Sequence, residues 1–596
     1  MKVSDFISEF IAQQGIRHVY VVQGGAAAHL IDSVALHPSL QHVCPQHEQA
    51  AAMAADAYSR IGPGIAAAIG TSGPGMTNMI TGICSSFYDS IPVLFITGQV
   101  STFRLTRDTK VRQLGFQEAP ASDIARPIVK YTVLIDDPKR IRYELEKAVY
   151  IAKSGRPGPV LVDVCDDVQR EEIDPEAIAS FSPPDDPALD DSSLQPSAKR
   201  VLQLLKEAQR PVIVYGAGVL LSQGEDEARA LADALQIPIG LTWATKQLFN
   251  GDDPRVIGTF GINGTRRGNF AIQNADLVVS IGSRLDTHAT GTPVNTFARG
   301  ARKIIVDIDA AELEKFPHQD MEVEEAICTD ARTFLHALIA ELPASQNQPA
   351  PEWIDRIAEW KHTYPDCPPE FYAQKGTVNP YVFFEMLSEE LTDDDIVVLD
   401  TGASIVQFFQ VFRPKIGQKL ISAFNYTPMG YAVPASLGAA QAAPGRRVVC
   451  ITGDGGFQLN SQELSTIVHH NLPVKVIVMN NHGYGIIQQT QDDWLGSRHW
   501  GSRVEGGLPD SDEMKVAGAY GLPVRNFENH DSLQRELRSF LNAPGPIFGN
   551  VEVDPEQRLF PMLKAGRPIE DAQPLLDRNE FRMNMIVEPL DVSQNI

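Results

Sequence analysis

Short apolar runs that end at glycine alternate with longer segments of helical periodicity along most of the chain. HVYVVQGG, GIAAAIGTSGPG, IPVLFITGQ and GPVLVDV are apolar runs bounded by turn residues, a pattern that predicts buried strands. Between them lie Ala-rich or 3.6-periodic stretches such as EQAAAMAADAYSR, which predict helices. Strands alternating with helices imply sheets covered on both faces. The predicted fold class is therefore α/β, with doubly wound and mainly parallel sheets.

The pattern divides the chain into three such units and a tail. The first, residues 1–175, gives way to REEIDPEAIASFSPPDDPALDDSSLQPS, whose Pro, Asp and Ser content predicts a connection. The second, 197–342, carries the strands RPVIVYGAGV, DLVVSIGSRL and KIIVDIDA and closes at ASQNQPAPEW. The third, 377–555, carries DDIVVLDTG, RRVVCITGDGG and VKVIVMNNHGYG. Residues 556–596 lack clear periodicity and read as a tail packed over the other units.

Composition narrows the function class. Hydrophobic residues at 43% and charged residues at 21% are ordinary globular values. A net charge of −24 argues against general binding to nucleic-acid backbones or anionic lipid. The six cysteines form no CxxC pair, which fits free thiols in a reducing compartment. No apolar stretch approaches the roughly 18 residues of a membrane span, and MKVSDFISEFIAQQG reads as an amphipathic helix. These features predict a cytoplasmic protein acting on small molecules, with neither nucleic acid nor membrane as partner.

The densest chemical signal is ITGDGGFQLN followed by VKVIVMNNHGYG. Asp454 follows a predicted strand and is flanked by Gly453, Gly455 and Gly456, while Asn481 comes 27 residues later, after the next strand. The carboxyl ends of neighbouring parallel strands converge on one crevice. Glycines there admit a diphosphate close to backbone amides, and Asp454, Asn481 and the Gly483 carbonyl offer hard oxygens suited to Mg²⁺. An isolated GDG is only a turn; the two strand contexts and their spacing give this one meaning.

With that spacing the sequence resembles the thiamine diphosphate (ThDP) enzymes. CPQHEQAAAMAADAYSR, TSGPGMTN, DSIPVLFITGQV, GFQEAP and SGRPGPVLVDV are similar to the pyrimidine-binding domain of the acetolactate synthase and pyruvate oxidase family. A Glu at a helix start is by itself a solvated residue favoured by the helix dipole. The resemblance implies instead that Glu48 activates the cofactor. Its carboxylate would hydrogen-bond a pyrimidine nitrogen and favour the imino tautomer that accepts the C2 proton. The resemblance also implies that Pro74 and Asn78 line the pyrimidine, with Gly25, Phe116 and Gln117 beside the reacting carbon. DTGAS puts Gly402, Ala403 and Ser404 beside the diphosphate, and Met429 matches the apolar wedge that bends the cofactor. Thr427, Tyr484, Gly485 and Ile486 complete the implied ThDP set. The family divides this site between two chains, so a homodimer or homotetramer is implied.

The central unit is less specific. Gly216, Ala217 and Gly218 begin a dinucleotide-type turn, but Leu221 stands where a third glycine belongs. By resemblance, Arg156, Thr242, Trp243, Ala244, Gly282, Arg284, Asp286, Asp307 and Ile308 fall where relatives contact FAD. Other relatives hold ADP in that cleft or leave it empty.

Three substrate positions depart from a biosynthetic acetolactate synthase: Asp166 replaces a lysine, His288 an arginine and Thr490 a tryptophan. GYGIIQQTQ and GRPIEDAQPLLDRNEFRMNM look more like carboligases of surface-sugar pathways. The resulting expectation is a ThDP- and Mg²⁺-dependent carboligase transferring a two-carbon unit from a 2-ketoacid donor, pyruvate, to a carbonyl acceptor such as a ketosugar. The alternatives are acetolactate synthase itself and a catalytically silent subunit. Retention of Glu48, Asp454 and Asn481 argues against the silent one.

Overall fold

Three six-stranded sheets organise the chain in a computed structural model that describes residues 1–184, 191–342 and 350–594. Residues 185–190 of the first expected connection and 343–349 of the second lie outside the described residues.

The first sheet contains β1 (His18–Val21), β2 (Gln41–Val43), β3 (Ala66–Gly70), β4 (Val93–Gln99), β5 (Tyr131–Ile135) and β6 (Val160–Cys165), in the order 2-1-3-4-6-5. The second contains β7 (Pro211–Tyr215), β8 (Ile239–Leu241), β9 (Val256–Gly258), β10 (Leu277–Ile281), β11 (Arg302–Asp307) and β12 (Glu325–Cys328), in the order 12-11-10-7-8-9. The third contains β13 (Ile396–Leu399), β14 (Lys419–Ile421), β15 (Val448–Gly453), β16 (Val474–Asn480), β17 (Val524–Phe527) and β18 (Ile547–Glu552), in the order 14-13-15-16-18-17. Neighbouring strands run parallel in all three sheets. The first and third sheets therefore share one strand order. The second has the doubly wound order of dinucleotide-binding domains.

Complete burial explains the composition of the central strands. β3 is AAAIG and β16 is VKVIVMN, each buried at every position, as parallel strands covered on both faces must be. β15 and β16 lie side by side, with Gly453 opposite Met479, so the residues after them leave the sheet together. Among the described residues no helix is long and apolar enough to cross a membrane. All six cysteines are free, and Cys84, Cys165 and Cys450 are buried. The last segment lies against the central unit, where Asn269 Nδ2 donates to the Ile569 carbonyl (2.8 Å) and Arg299 pairs with Glu570 (2.7 Å).

The helix Glu48–Ile61 joins the first unit to the third. Its residues 50–59 are buried, and it packs against the helices Ile80–Asp89 and Ala432–Ala442. Small side chains make this contact possible. A Cβ on Gly438 would lie 2.0 Å from the Ala54 carbonyl oxygen, and one on Gly82 would lie 2.4 Å from the Ala52 Cβ.

A buried ion network sits in the same contact. The Asp56 carboxylate accepts from Arg60 Nε (2.7 Å), Ser86 Oγ (2.9 Å) and Tyr431 Oη (2.5 Å). Arg60 also donates to Asp89 (2.8 Å), which in turn accepts the backbone N–H groups of Phe424 (2.8 Å) and Asn425 (2.9 Å). Buried charges persist when each has partners, and breaking such a group by deleting one member costs about 3–5 kcal/mol. Asp56→Ala should therefore lower stability by about that amount, measured as a reduced denaturation midpoint in urea. An unchanged midpoint would mean that the network carries no net energy.

Candidate active site

The carboxyl ends of β1 and β3 build one surface. Gly24 follows β1 so closely packed that an added Cβ would lie 2.5 Å from the Thr71 Cβ. Gly73, at φ +59°, faces the backbone of Gln117, whose carbonyl oxygen would lie 2.6 Å from an added Cβ. Pro74 then opens the short helix Pro74–Asn78. Asn78 Nδ2 donates to Glu48 Oε2 at 2.9 Å. Glu48 is half-buried, whereas Gly25, Pro74, Asn78 and Gln117 are exposed. The Phe116 ring is 84% exposed, an unusual state for an aromatic side chain with no cover in its own chain.

Glu463 supports this surface from the third unit, and sequence reasoning missed it. Its buried carboxylate accepts the Gln46 N–H (2.9 and 3.1 Å) and the Thr466 hydroxyl (3.0 Å), holding the turn that leads into Glu48. Burial pushes its pKa up to about 7. It stands at the end of the polar run NSQE, so no local pattern marks it.

The second surface lies at the ends of β13, β15 and β16. Asp454 is 9% exposed, and its carboxylate accepts the Gly483 N–H at 2.7 Å. Burial raises its pKa to about 7, against the lowering effect of the Gly455 and Gly483 N–H groups. Such a carboxylate is stabilised in its charged form by a nearby cation. A Cβ on Gly455 would lie 2.1 Å from the Tyr484 ring, and one on Gly483 would lie 2.5 Å from the Ser502 carbonyl oxygen. At Gly402 (φ +107°) and Gly453 nothing lies within 4 Å of an added Cβ, so both face open space. These features fit a metal-bound diphosphate approaching the backbone.

These residues line a cavity of about 690 Å³ together with Ala403, Ser404, Thr427, Met429, Gly456, Asn481, Gly485 and Ile486. Two buried carboxylates set the Thr427–Met429 loop. Asp89 holds Phe424 and Asn425, while Asp400 accepts the Gly430 N–H at 3.0 Å. Burial raises the Asp400 pKa to about 6. Glu48, Asn78, Gly25, Phe116 and Gln117 do not line this cavity. One chain thus carries both expected groups on separate surfaces.

The cavity continues into the central unit at its switch point between β7 and β10. Gly216 and Gly218 allow the two loops there to touch; an added Cβ would lie 2.4 Å from the Gly282 carbonyl oxygen and 2.7 Å from the Gly282 Cα, respectively. Ala217, Thr242, Trp243, Ala244, Asp307 and Ile308 also line it. The cations at its edge are internally paired: Arg156 with Asp309 (2.9 Å) and Glu312 (2.8 Å), Arg284 with Asp286 (2.8 Å). Three buried polar atoms of lining residues, Asn263 Oδ1, Arg284 Nε and Thr329 Oγ1, have no protein hydrogen-bond partner. A polar ligand fits that deficit.

The three expected substrate residues fall in three different places. His288 lines the cavity, with Nε2 3.0 Å from Asn263 Nδ2 and its ring edge-on to Trp243. Burial lowers its pKa, so the ring is neutral near pH 7. Asp166 lies away from the cavity and accepts the Ser101 hydroxyl. Thr490 also lies off the cavity lining, and its hydroxyl donates to the Ile486 carbonyl at 3.1 Å.

Known proteins agree with this architecture. Residues 1–123 match the N-terminal TPP binding domain of thiamine pyrophosphate enzymes, 198–338 their central domain and 400–551 their C-terminal TPP binding domain. The chain is 32% identical over 569 residues to the acetolactate synthase large subunit of Pyropia yezoensis, covering 94% of this chain and 92% of that one. It is 33% identical over 584 residues to a probable acetolactate synthase large subunit of Methanocaldococcus jannaschii, covering 96% of each. It is 30% identical over 568 residues to acetolactate synthase isozyme 1 large subunit of Escherichia coli (strain K12), covering 94% of this chain and 96% of that one. The chain therefore belongs to the thiamine pyrophosphate enzyme family and is an acetolactate-synthase-like enzyme that uses thiamine diphosphate and Mg²⁺.

Proposed function

We propose that the protein is a 2-ketoacid decarboxylase and carboligase whose active site is completed between two copies of the chain. The observation that carries this reading is the separation of Glu48 from the Asp454 cavity within one chain. A second copy would bring the exposed Glu48, Asn78 and Phe116 surface over that cavity. Bound ThDP supplies an acidic carbon that adds to a ketone carbonyl and holds the electrons released with CO₂.

Asp454, Asn481 and the Gly483 carbonyl are proposed to hold Mg²⁺, with Gly402, Ala403, Ser404 and Gly453 to Gly456 around the diphosphate. Glu48 holds and moves a proton on the pyrimidine side, oriented by Asn78. Met429, on the cavity lining, would support the bound cofactor through an apolar contact. Gly25, Phe116 and Gln117 exclude water from the reacting carbon. The dinucleotide-type strand order and the unpartnered Asn263 Oδ1 and Thr329 Oγ1 support FAD in the central cleft.

The relatives' printed names support a second 2-ketoacid as acceptor, which is the acetolactate synthase reading, more directly than a ketosugar. A second reading, an acceptor without a carboxylate at its carbonyl, rests on His288. A neutral imidazole offers an acceptor carboxylate no charge-assisted bond.

Glu48→Gln keeps the size of the side chain and removes its proton acceptor. Turnover should fall by about 10²–10⁴ while ThDP affinity changes less. Near-normal exchange of the cofactor's C2 proton in this variant would refute the assignment. Asp454→Ala removes the one charged metal ligand, so ThDP titrated by fluorescence quenching should bind weakly at any practical Mg²⁺ concentration. Retained tight binding would place the metal elsewhere. With pyruvate as donor, a carboxylate-free carbonyl should outcompete 2-ketobutyrate, as read by mass spectrometry of the products. A clear preference for the ketoacid would decide for acetolactate synthase.

A further inference from the structure

The segment between Thr102 and Gly115, TFRLTRDTKVRQLG, carries Arg104, Arg107, Lys110 and Arg112 against one carboxylate, Asp108. All four cations are exposed, in a protein whose net charge is −24. Arg107 reaches Asp136 at 3.4 Å, and Arg104 lies over the exposed Phe103 ring. Among the described residues Arg104, Lys110 and Arg112 have no carboxylate within ion-pair distance.

Carboxylates packed at the base of this loop are engaged in holding it. Glu118 accepts the N–H (2.6 Å) and hydroxyl (2.8 Å) of Thr106 and the N–H groups of Leu114 (3.0 Å) and Gly115 (3.2 Å). Against the raising effect of burial, these backbone and hydroxyl donors lower its pKa. Asp167 accepts the N–H (3.0 Å) and hydroxyl (2.6 Å) of Thr102, and Asp166 accepts Ser101. The acids at the base are thus occupied by neutral donors, and the positive tip keeps its charge. A turn closed by Thr109 N–H to the Thr106 carbonyl (2.9 Å) gathers that tip.

The loop runs directly into Phe116 and Gln117, and Gln117 abuts the Gly73–Pro74 turn beside Asn78 and Glu48. We propose that Arg104, Arg107, Lys110 and Arg112 bind a phosphate or diphosphate group on the carbonyl acceptor, carried at a distance from its reacting carbon. The inference rests on the proposed function, which puts Phe116 and Gln117 beside the reacting carbon. A ketoacid carboxylate adjoins its carbonyl and needs one cation close by. Several cations spread from residue 104 to 112 suit a larger, multiply charged group farther away. Four residues, from Arg112 to Phe116, span at most about 14 Å, a reach matched to the far end of a phosphorylated sugar. Against a net charge of −24, an anionic acceptor also gains from a local positive tip that opposes the overall repulsion.

The test compares fructose 6-phosphate, whose phosphate lies four carbons from its carbonyl, with fructose as acceptors for the full-length enzyme with ThDP, Mg²⁺ and pyruvate. In the variant Arg107→Ala/Lys110→Ala/Arg112→Ala, KM for the phosphorylated acceptor should rise about 10- to 100-fold. Its kcat, and KM for fructose, should stay within about twofold. Lys110→Ala alone removes one exposed charge with little risk to folding and should give a smaller shift in the same direction. Calorimetric titration with fructose 6-phosphate gives a readout independent of turnover: binding should be seen in the wild type and be weakened in both variants. Absence of binding in the wild type, equal KM changes for both acceptors, or no change for either would overturn the proposal. Dissociation of the triple variant into monomers on a sizing column would assign the cations to a subunit contact and overturn it as well. Release of CO₂ from pyruvate by the wild type tests the underlying carboligase reading separately.

Discussion

The buried chain Asp56–Arg60–Asp89 is the interaction on which the placement of both half-sites depends. Asp56 lies two turns along the helix that Glu48 begins, so fixing Asp56 fixes the direction from which Glu48 leaves the protein core. Asp89, at the other end, grips Phe424 and Asn425, immediately before the loop that bears Thr427 and Met429. A displacement of Arg60 would therefore be felt at Glu48 and at the floor of the cavity alike. Interior charges are expensive, and this set is tolerable because each member has several donors or acceptors.

The same economy recurs around the cavity. Asp400 and Glu463 are buried carboxylates whose pKa values are pushed up to about 6 and about 7 by loss of solvent. Glu463 accepts a backbone N–H from the first unit, and Asp400 accepts N–H groups from the Gly430 loop of its own unit. Both give rigid orientation to residues that the sequence alone leaves on flexible turns. Asp454 differs: with the same desolvation it has an open side facing the cavity, and a cation is the partner that side is suited to.

What could be read from the sequence was local. Strands ending in glycine, the Asp454 to Asn481 spacing and the Ala-rich helix after Glu48 depend on neighbours in the chain and are visible as pattern. The family and the three parallel sheets followed from them. Glu463, Asp400 and the roles of Asp166 depend on contacts that no local pattern records. Asp166 was expected to face an acceptor, and its hydrogen bond from the Ser101 hydroxyl is a contact that no local pattern records. The polar run at 191–197 looked like a connection, yet Asp191–Glu207 is helical, with Pro196 inside it. Ser and Asp favour turns and helix starts for the same reason, their competition for backbone N–H groups, so composition could not separate the two. The basic loop was plainly written in the sequence and was overlooked because it matches no motif.

The contact between Glu48–Ile61 and Ala432–Ala442 has a consequence for biosynthesis. Its two halves are separated by about 370 residues of the chain, from Ile61 to Ala432. During translation the small-residue face of the first helix leaves the ribosome long before its cover exists. At about 5–20 residues per second the interval is on the order of 20–80 s. Until then Asp56 and Arg60 lack Tyr431, and the turn before Glu48 lacks Glu463. Maturation of the N-terminal half-site is thereby timed by the emergence of the third unit, and the nascent first unit must remain protected from aggregation while it waits.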